Sequence, residues 1–405
     1  MSAESPRELS LIARHAGTIF AGQVAVLAFG LTDTMVVARH SSESLAGLSV
    51  GAATYISIFV GLLGVVQAQL PVWAHLRGAG RHAEVGASVR QAVYLALLTT
   101  AVGMAALLFP GPLLEATQVP EALRASVEAY LRILAFALPP ALFFRLYSTL
   151  NQSLGKPLLV TWVQVGALAA KVPLTIWFVF GGAGLPAMGL EGCAWATLVV
   201  NYAMVILALA MLRGSSIYAP YRIWMPMERP DGAQLRAFAR LGIPTGLAIM
   251  VEVTSFTLMA LFIARQGTVA AAGHQVAASL AGLMYMVPLS LGIASSARVS
   301  YWLGSGDLVR ATRALRLGLG LAVGMASSAG LLLVLLHQPI ARLLAGDQPQ
   351  VVAMASALLL WVAIYHLADA TQAVCVFILR SFGIATTALL VYCVLLWGVG
   401  LGGGY

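Results

Sequence analysis

Charge is what this 405-residue chain has least of: Asp, Glu, Lys and Arg together make up 9%, against roughly 25% in an ordinary soluble domain. That shortfall excludes a water-soluble globule, which needs charge to wet its surface. It also excludes disorder, which needs low hydrophobicity and high charge. Cysteine is nearly absent. Cys193, Cys375 and Cys393 are scattered with no CxxC spacing, so neither a disulfide framework nor a zinc site is expected. The N-terminal stretch contains acids and runs straight into a long apolar span, with no short apolar core and small-residue cleavage site, so no removable signal peptide is read.

What is there is hydrophobicity, at 60% of residues. About 20 apolar residues cross a bilayer as a helix. Spans are expected at 15–38, 46–72, 87–109, 126–148, 158–181, 190–212, 241–265, 270–297, 314–337 and 351–379, with an eleventh starting near 385. These runs are too long for the alternating strands of a membrane barrel. The fold class is therefore all-α and polytopic, with the bilayer as solvent. The net charge of +8 is explained by residues between spans rather than by nucleic acid. With the N-terminus inside, 17 of the 23 basic residues fall in inside loops and Arg39, Arg124, Arg265 and Arg342 outside, which orients the N-terminus to the cytoplasm of an inner membrane.

The chain repeats itself. Ala38, Arg39, Ala46 and Gly47 match Ala264, Arg265, Ala272 and Gly273 at an offset of 226, as do Gly78, Gly80 and Arg90 with Gly304, Gly306 and Arg316. Ser153 and Gly155 match Ser381 and Gly383 at 228. Six spans per repeat is an even number, so the repeats are parallel, a pattern of secondary transporters. The expected organisation is an N-lobe at 1–213, a linker at 214–237 and a C-lobe at 238–405. On the repeat's arithmetic the second lobe stops inside its eleventh helix, about 36 residues short.

Ionisable residues inside a membrane cost at least about 2.5–3.5 kcal/mol each, so each needs a reason. Glu252 falls near the middle of the seventh span, Asp369 inside the tenth, Asp33 towards the outer end of the first and Lys171 inside the fifth. Asp33 has a plain reading as a hydrated helix end. Lys171 has one as a neutralising partner, Asp33 being nearest in depth. Tyr365 lies four residues before Asp369, on the same helical face. Two acids in one half suit a proton or Na⁺ relay, because a desolvated carboxyl holds a proton readily and a pair can share one. Phe256, Met284 and Met286 are candidates for an adaptable pocket, with plain packing as the alternative. His274, His366, Gln275, Asn151 and Gln372 read as helix-interface hydrogen bonding.

Several stretches together resemble the MATE (multidrug and toxic compound extrusion) family, in its bacterial NorM-type branch: TDTMVVAR (32–39), KVPLTIWFVFG with GLPAMGLEGCAWAT (171–181 and 184–197), LGIPTGLAIMVEVTSFTLMAL (241–261), AAGHQVAASLAGLMYMVPLSLGIASSARVSYWLGSGD (271–307) and IYHLADATQAV (364–374). The resemblance implies two pseudo-symmetric six-helix lobes in a V, and export of cationic amphipathic compounds in exchange for H⁺ or Na⁺. It implies no enzyme activity and no cofactor beyond the coupling ion. The family's acids match Asp33, Glu252 and Asp369, and its tyrosine matches Tyr365. Glu252 and Asp369 are the residues it would put on a Na⁺ ion. A monomer working on small molecules in the bilayer is expected. One departure stands out. The family has Asn where this chain has Lys171 and Thr175, in the polar network around the first-span acid. A lysine there fills a cation's place, which moves the expected coupling to Glu252 and Asp369. The rival readings are a lipid-linked oligosaccharide flippase, which needs cavity cations that only Lys171 and Arg132 offer, and an intramembrane aspartyl protease, whose GxGD motif is absent.

Overall fold

The computed structural model describes residues 4–116, 119–182, 184–346 and 348–404, without the side chains of residues 4, 5, 113, 116 and 404. Tyr405, the last residue of the sequence, lies outside them. The described residues are almost wholly helical. In order they form α1 (Glu4–His40), α2 (Ser42–Gln67), α3 (Leu70–Gly78), α4 (His82–Leu108), α5 (Gly111–Ala116), α6 (Glu121–Ser153), α7 (Pro157–Phe180) and α8 (Gly189–Gly214). A 3₁₀ turn (Ser216–Tyr221) follows, then α9 (Gly232–Ala264), α10 (Thr268–Gly304), α11 (Leu308–Ala345), α12 (Pro349–Ser381), α13 (Thr386–Tyr392), a π-helical stretch (Cys393–Leu401) and α14 (Gly402–Gly404).

Among the described residues, ten helical stretches are long and apolar enough to cross a membrane, α2 and α3 counting as one. They coincide with the first ten of the eleven expected spans, while the eleventh, expected from near 385, is a shorter apolar helix over Thr386–Leu401. The chain is a multi-pass membrane protein. The helices overrun the apolar windows by several residues, as Leu308–Ala345 does the window 314–337, because a helix continues through polar turns until a cap stops it. Asp307 is such a cap, its carboxylate accepting from the Arg310 N–H at 2.8 Å. Ser41 does the same for Ser44 at 3.0 Å.

The repeat is visible in the backbone. Gly80 and Gly306 have φ of 72° and 77°, and Gly155 and Gly383 have 68° and 75°. These are two of the four glycine pairs matched in sequence, and all four of these residues sit in the left-handed region that L side chains avoid. The same turns close the same helices in both halves.

The contacts group residues 21–250 as one compact unit and residues 1–20 with 251–405 as another. In the first, α6 is the central helix: Leu131, Leu134, Leu138 and Leu142 are fully enclosed. In the second, α11 packs through a stripe of small residues, Ala311, Ala314, Gly318, Ala322, Ala326 and Gly330. A Cβ on Gly318 would fall 2.3 Å from the Ser295 hydroxyl, and one on Gly330 3.0 Å from the Ala363 carbonyl. Backbone approach of this kind replaces the hydrophobic driving force that lipid removes. At the start of α1, Glu8 accepts two hydrogen bonds from Arg298 at 2.7 Å and one from the Trp302 indole at 3.2 Å, tying that turn to the end of α10.

The linker is strapped to α4. Arg90 grips Glu228 through two nitrogens and donates to the Arg222 carbonyl at 2.6 Å. Gln91 donates to the Arg229 carbonyl and accepts from the Asp231 N–H. Tyr94 donates to the Glu228 carbonyl at 2.8 Å, and Tyr218 to Asn151 Oδ1 at 2.8 Å. Arg90 holds the Glu228 carboxyl down at about 2, chiefly through its hydrogen bonds.

Candidate functional site

Two polar clusters hold the acids that the sequence singles out. In the unit of residues 21–250, α1 presents Asp33 and α7 presents Lys171 and Thr175. Lys171 has no exposed surface, and its ammonium lies 2.7 Å from Asp33 Oδ1. Thr175 adds a long hydrogen bond to the same oxygen at 3.4 Å. Lys171 also donates to the Thr197 hydroxyl on α8 at 2.6 Å, and Thr197 donates onward to the Cys193 carbonyl at 3.0 Å. The Cys193 thiol lies in the field of both charges. A lone buried charge would be prohibitive here; paired and hydrogen-bonded, both charges are tolerated. Of the two readings of Lys171, the geometry realises the partner of Asp33.

In the other unit, Tyr365 and Asp369 lie one turn apart on α12, and the Tyr365 hydroxyl donates to Asp369 Oδ1 at 3.1 Å. Asp369 is 5% exposed, while Glu252 on α9 is half-buried. The charges of Asp369 and Arg380 both act on Glu252. Two further tyrosines lie in the field of both acids, Tyr285 on α10 and Tyr392 on α13. Sequence reasoning missed these tyrosines, because a Tyr inside an apolar run looks like packing until a second helix brings an acid to it. Thr197 and Cys193 were missed for the same reason.

Arg380, counted with the loop residues in the charge tally, is buried. Its guanidinium lies 4.4 Å from the Phe377 ring centroid, and one of its nitrogens, Nη1, has no hydrogen-bond partner. It ends α12 facing inwards, which a count along the sequence cannot see. Gln275, read as interhelical, bonds to Ser279 of its own helix at 3.3 Å. Of the apolar candidates, Phe256 is 44% exposed on α9. Met284 and Met286 are half-buried on α10, Met284 packing against the cluster of Ala277, Leu333 and Leu359.

Chemically, the first cluster is a closed ion pair with its cation built in. The second offers two carboxyls, three phenol hydroxyls and a nearby guanidinium, with no lysine bound to either acid among the described residues. Such a cluster can take up a cation and be neutralised by it.

Comparison with known proteins fits this architecture. The sequence matches the MatE family over residues 19–177 and 244–405. It is similar to the probable multidrug resistance protein NorM of Aromatoleum aromaticum, at 37% identity over 391 residues, covering 96% of this chain and 84% of that one. It is similar to the protein of the same description from Chromobacterium violaceum, at 33% identity, covering 99% of this chain and 86% of that one. The crystal structure of the Vibrio cholerae MATE transporter VcmN in its bent form shares the fold, with a TM-score of 0.89 at 16% identity over 99% of this chain and 90% of that one. The matched ranges run through both halves and span the positions of Asp33, Lys171, Glu252 and Asp369. The chain belongs to the MATE family of transporters, in its bacterial NorM-type branch, and is no enzyme.

Proposed function

We propose that this chain exports cationic amphipathic compounds across the inner membrane in exchange for H⁺ or Na⁺, by alternating access, and that coupling resides at Glu252 and Asp369. The observation that carries the location is the contrast between the clusters. Asp33 is satisfied by a tethered ammonium at 2.7 Å, so a mobile cation there would have to displace a covalently attached one. Asp369 has the Tyr365 hydroxyl, and Glu252, which feels the charges of both Asp369 and Arg380, makes no ion pair among the described residues.

In this reading an outside cation binds Glu252 and Asp369, the drug leaves, the halves rock, and the cation is released inside. A ligand drives such a cycle only through different affinity for the two states. Neutralising two adjacent acids supplies that difference, because bringing like charges together disfavours whichever state holds them closer. Among the described residues no three His, Cys, Asp or Glu side chains gather as a metal site. A Na⁺ ion would therefore complete its shell with hydroxyl and carbonyl oxygens, as hard cations do. The relatives' description as multidrug resistance proteins supports a broad substrate range. The flippase reading loses ground because Lys171, its main cavity cation, is consumed by Asp33. The protein is proposed to act as a monomer with its N-terminus in the cytoplasm.

The test is efflux of one fluorescent cation from proteoliposomes carrying separately imposed H⁺ and Na⁺ gradients. Efflux that follows one gradient and disappears in the Glu252→Gln and Asp369→Asn variants is expected. Efflux indifferent to both gradients overturns the coupling.

A further inference from the structure

The repeat places Arg90 and Arg316 at equivalent positions, and the structure gives them different surroundings. Arg90 is 6% exposed, seated under the linker with the Glu228 carboxylate on its guanidinium. Arg316 is exposed, and no carboxylate sits on it among the described residues. Where the first half has the strap, the second has a surface groove of about 460 Å³, lined by Leu308, Val309, Thr312, Arg313, Arg316 and Leu317. The seat that takes an anion in one half is open in the other.

The groove's setting tells what kind of anion. Leu308 and Val309 at its rim are 66% and 71% exposed. Below it, the same face of α11 continues through Gly320 and Gly324, where an added Cβ would meet nothing within 4 Å. It then reaches Leu331 and Leu335, 62% and 66% exposed. That face is basic at the helix end, narrow in the middle and apolar beyond. It begins on the membrane side where 17 of the 23 basic residues gather. Arg310, nearer the start of the helix, is engaged elsewhere, 3.4 Å from Asp307 and stacked 4.9 Å over Trp302.

We propose that this groove binds an anionic phospholipid, its phosphate held at Arg316 with Thr312 beside it, and an acyl chain running down α11 past Gly320 and Gly324. An arginine fork matches phosphate oxygens as it matches a carboxylate. Basic pockets at the headgroup level of helical membrane proteins suit anionic lipid. The glycines leave open space beside the helix, and the exposed leucines below meet the chain as they would any lipid.

The experiment uses the full-length chain, reconstituted in vesicles of equal phosphatidylglycerol and phosphatidylcholine, re-extracted in mild detergent and weighed by native mass spectrometry. Phosphatidylglycerol should be retained in preference. The preference should drop about fivefold in Arg316→Ala, on the usual worth of one arginine near an anionic surface, and survive largely in Arg316→Lys. Equal retention of the two lipids by the wild type, or an undiminished preference in Arg316→Ala with an unchanged melting temperature, overturns the proposal. Two competitors separate the sources. Inorganic phosphate should not displace the lipid; if it does so at millimolar concentration, the groove is a free-anion site and the proposal fails. A peptide copying residues 222–231 should also leave the lipid in place; displacement by it would make the groove a seat for a protein carboxylate instead.

Discussion

Removing Lys171 from its buried pair should cost much more than removing the pair. In Lys171→Met the Asp33 carboxylate keeps its position at 9% exposure but loses the ammonium 2.7 Å away. In Asp33→Asn the ammonium is stranded instead, with only neutral oxygens such as the Thr197 hydroxyl to face. Breaking a buried pair from one side costs about 3–5 kcal/mol, because an uncompensated charge is left in low dielectric, whereas replacing both partners with neutral groups is often close to neutral. A unit the size of residues 21–250 loses about 2–4 °C of melting temperature per kcal/mol, so each single variant should melt on the order of 10 °C lower. The double variant Asp33→Asn/Lys171→Met should recover most of that loss, leaving an interaction energy of at least ~2 kcal/mol in the cycle. Tryptophan fluorescence melts of the four proteins in one detergent measure it. If the two single losses add in the double variant, the charges are not paired in the working protein and the reasoning is wrong.

Transport should follow the same division. Gradient-driven dye efflux should persist in Asp33→Asn/Lys171→Met and vanish in Asp369→Asn; equal loss in both would place coupling in the two halves alike. Tyr365→Phe deletes a hydroxyl bound to a carboxylate at 3.1 Å, an interaction worth about 1.5–3 kcal/mol when one partner is charged. If the hydroxyl helps hold the coupling ion's site in shape, the ion's half-saturating concentration should shift by roughly ten- to a hundredfold, and an unchanged value would make it a packing tyrosine. The linker strap should loosen in acid. Arg90 lowers the Glu228 carboxyl from its ordinary 4.5 to about 2, so its contribution is complete above about pH 4.5 and is lost as pH falls towards 2. The Glu228 side chain is 45% exposed, which keeps the effect below about 1 kcal/mol. Limited proteolysis between 222 and 231 should quicken over that window in the wild type and be fast throughout in Glu228→Gln.

The spans and the repeat were legible because both are patterns along one dimension: runs of apolar residues, and residues recurring at a fixed offset, among them the glycines of two left-handed turns. The Lys171–Asp33 pair was half legible, since depth in the membrane can be counted but rotation about the helix axis cannot. What stayed hidden depends on rotation and on neighbours far away in sequence. Arg380 reads as a loop residue until α12 turns it inwards. Tyr285 and Tyr392 read as apolar filler until α10 and α13 bring them to Glu252 and Asp369. Glu8 carries no signal at all, for its partner is 290 residues away.

The strap over α4 changes what the joint between the two repeats is. A tether is free to lengthen, shorten or change composition as lineages diverge. This one is pinned at Tyr218, Arg222, Glu228, Arg229 and Asp231 by hydrogen bonds to Asn151, Arg90, Gln91 and Tyr94. It also crosses α4 where a Cβ on Gly86 would fall 1.8 Å from the Tyr221 carbonyl oxygen. Its length is therefore set by geometry, residue by residue. In relatives that keep the arginine and its glutamate, insertions and deletions should stay out of the stretch from 218 to 231, and a reporter domain spliced there should cost the protein its fold.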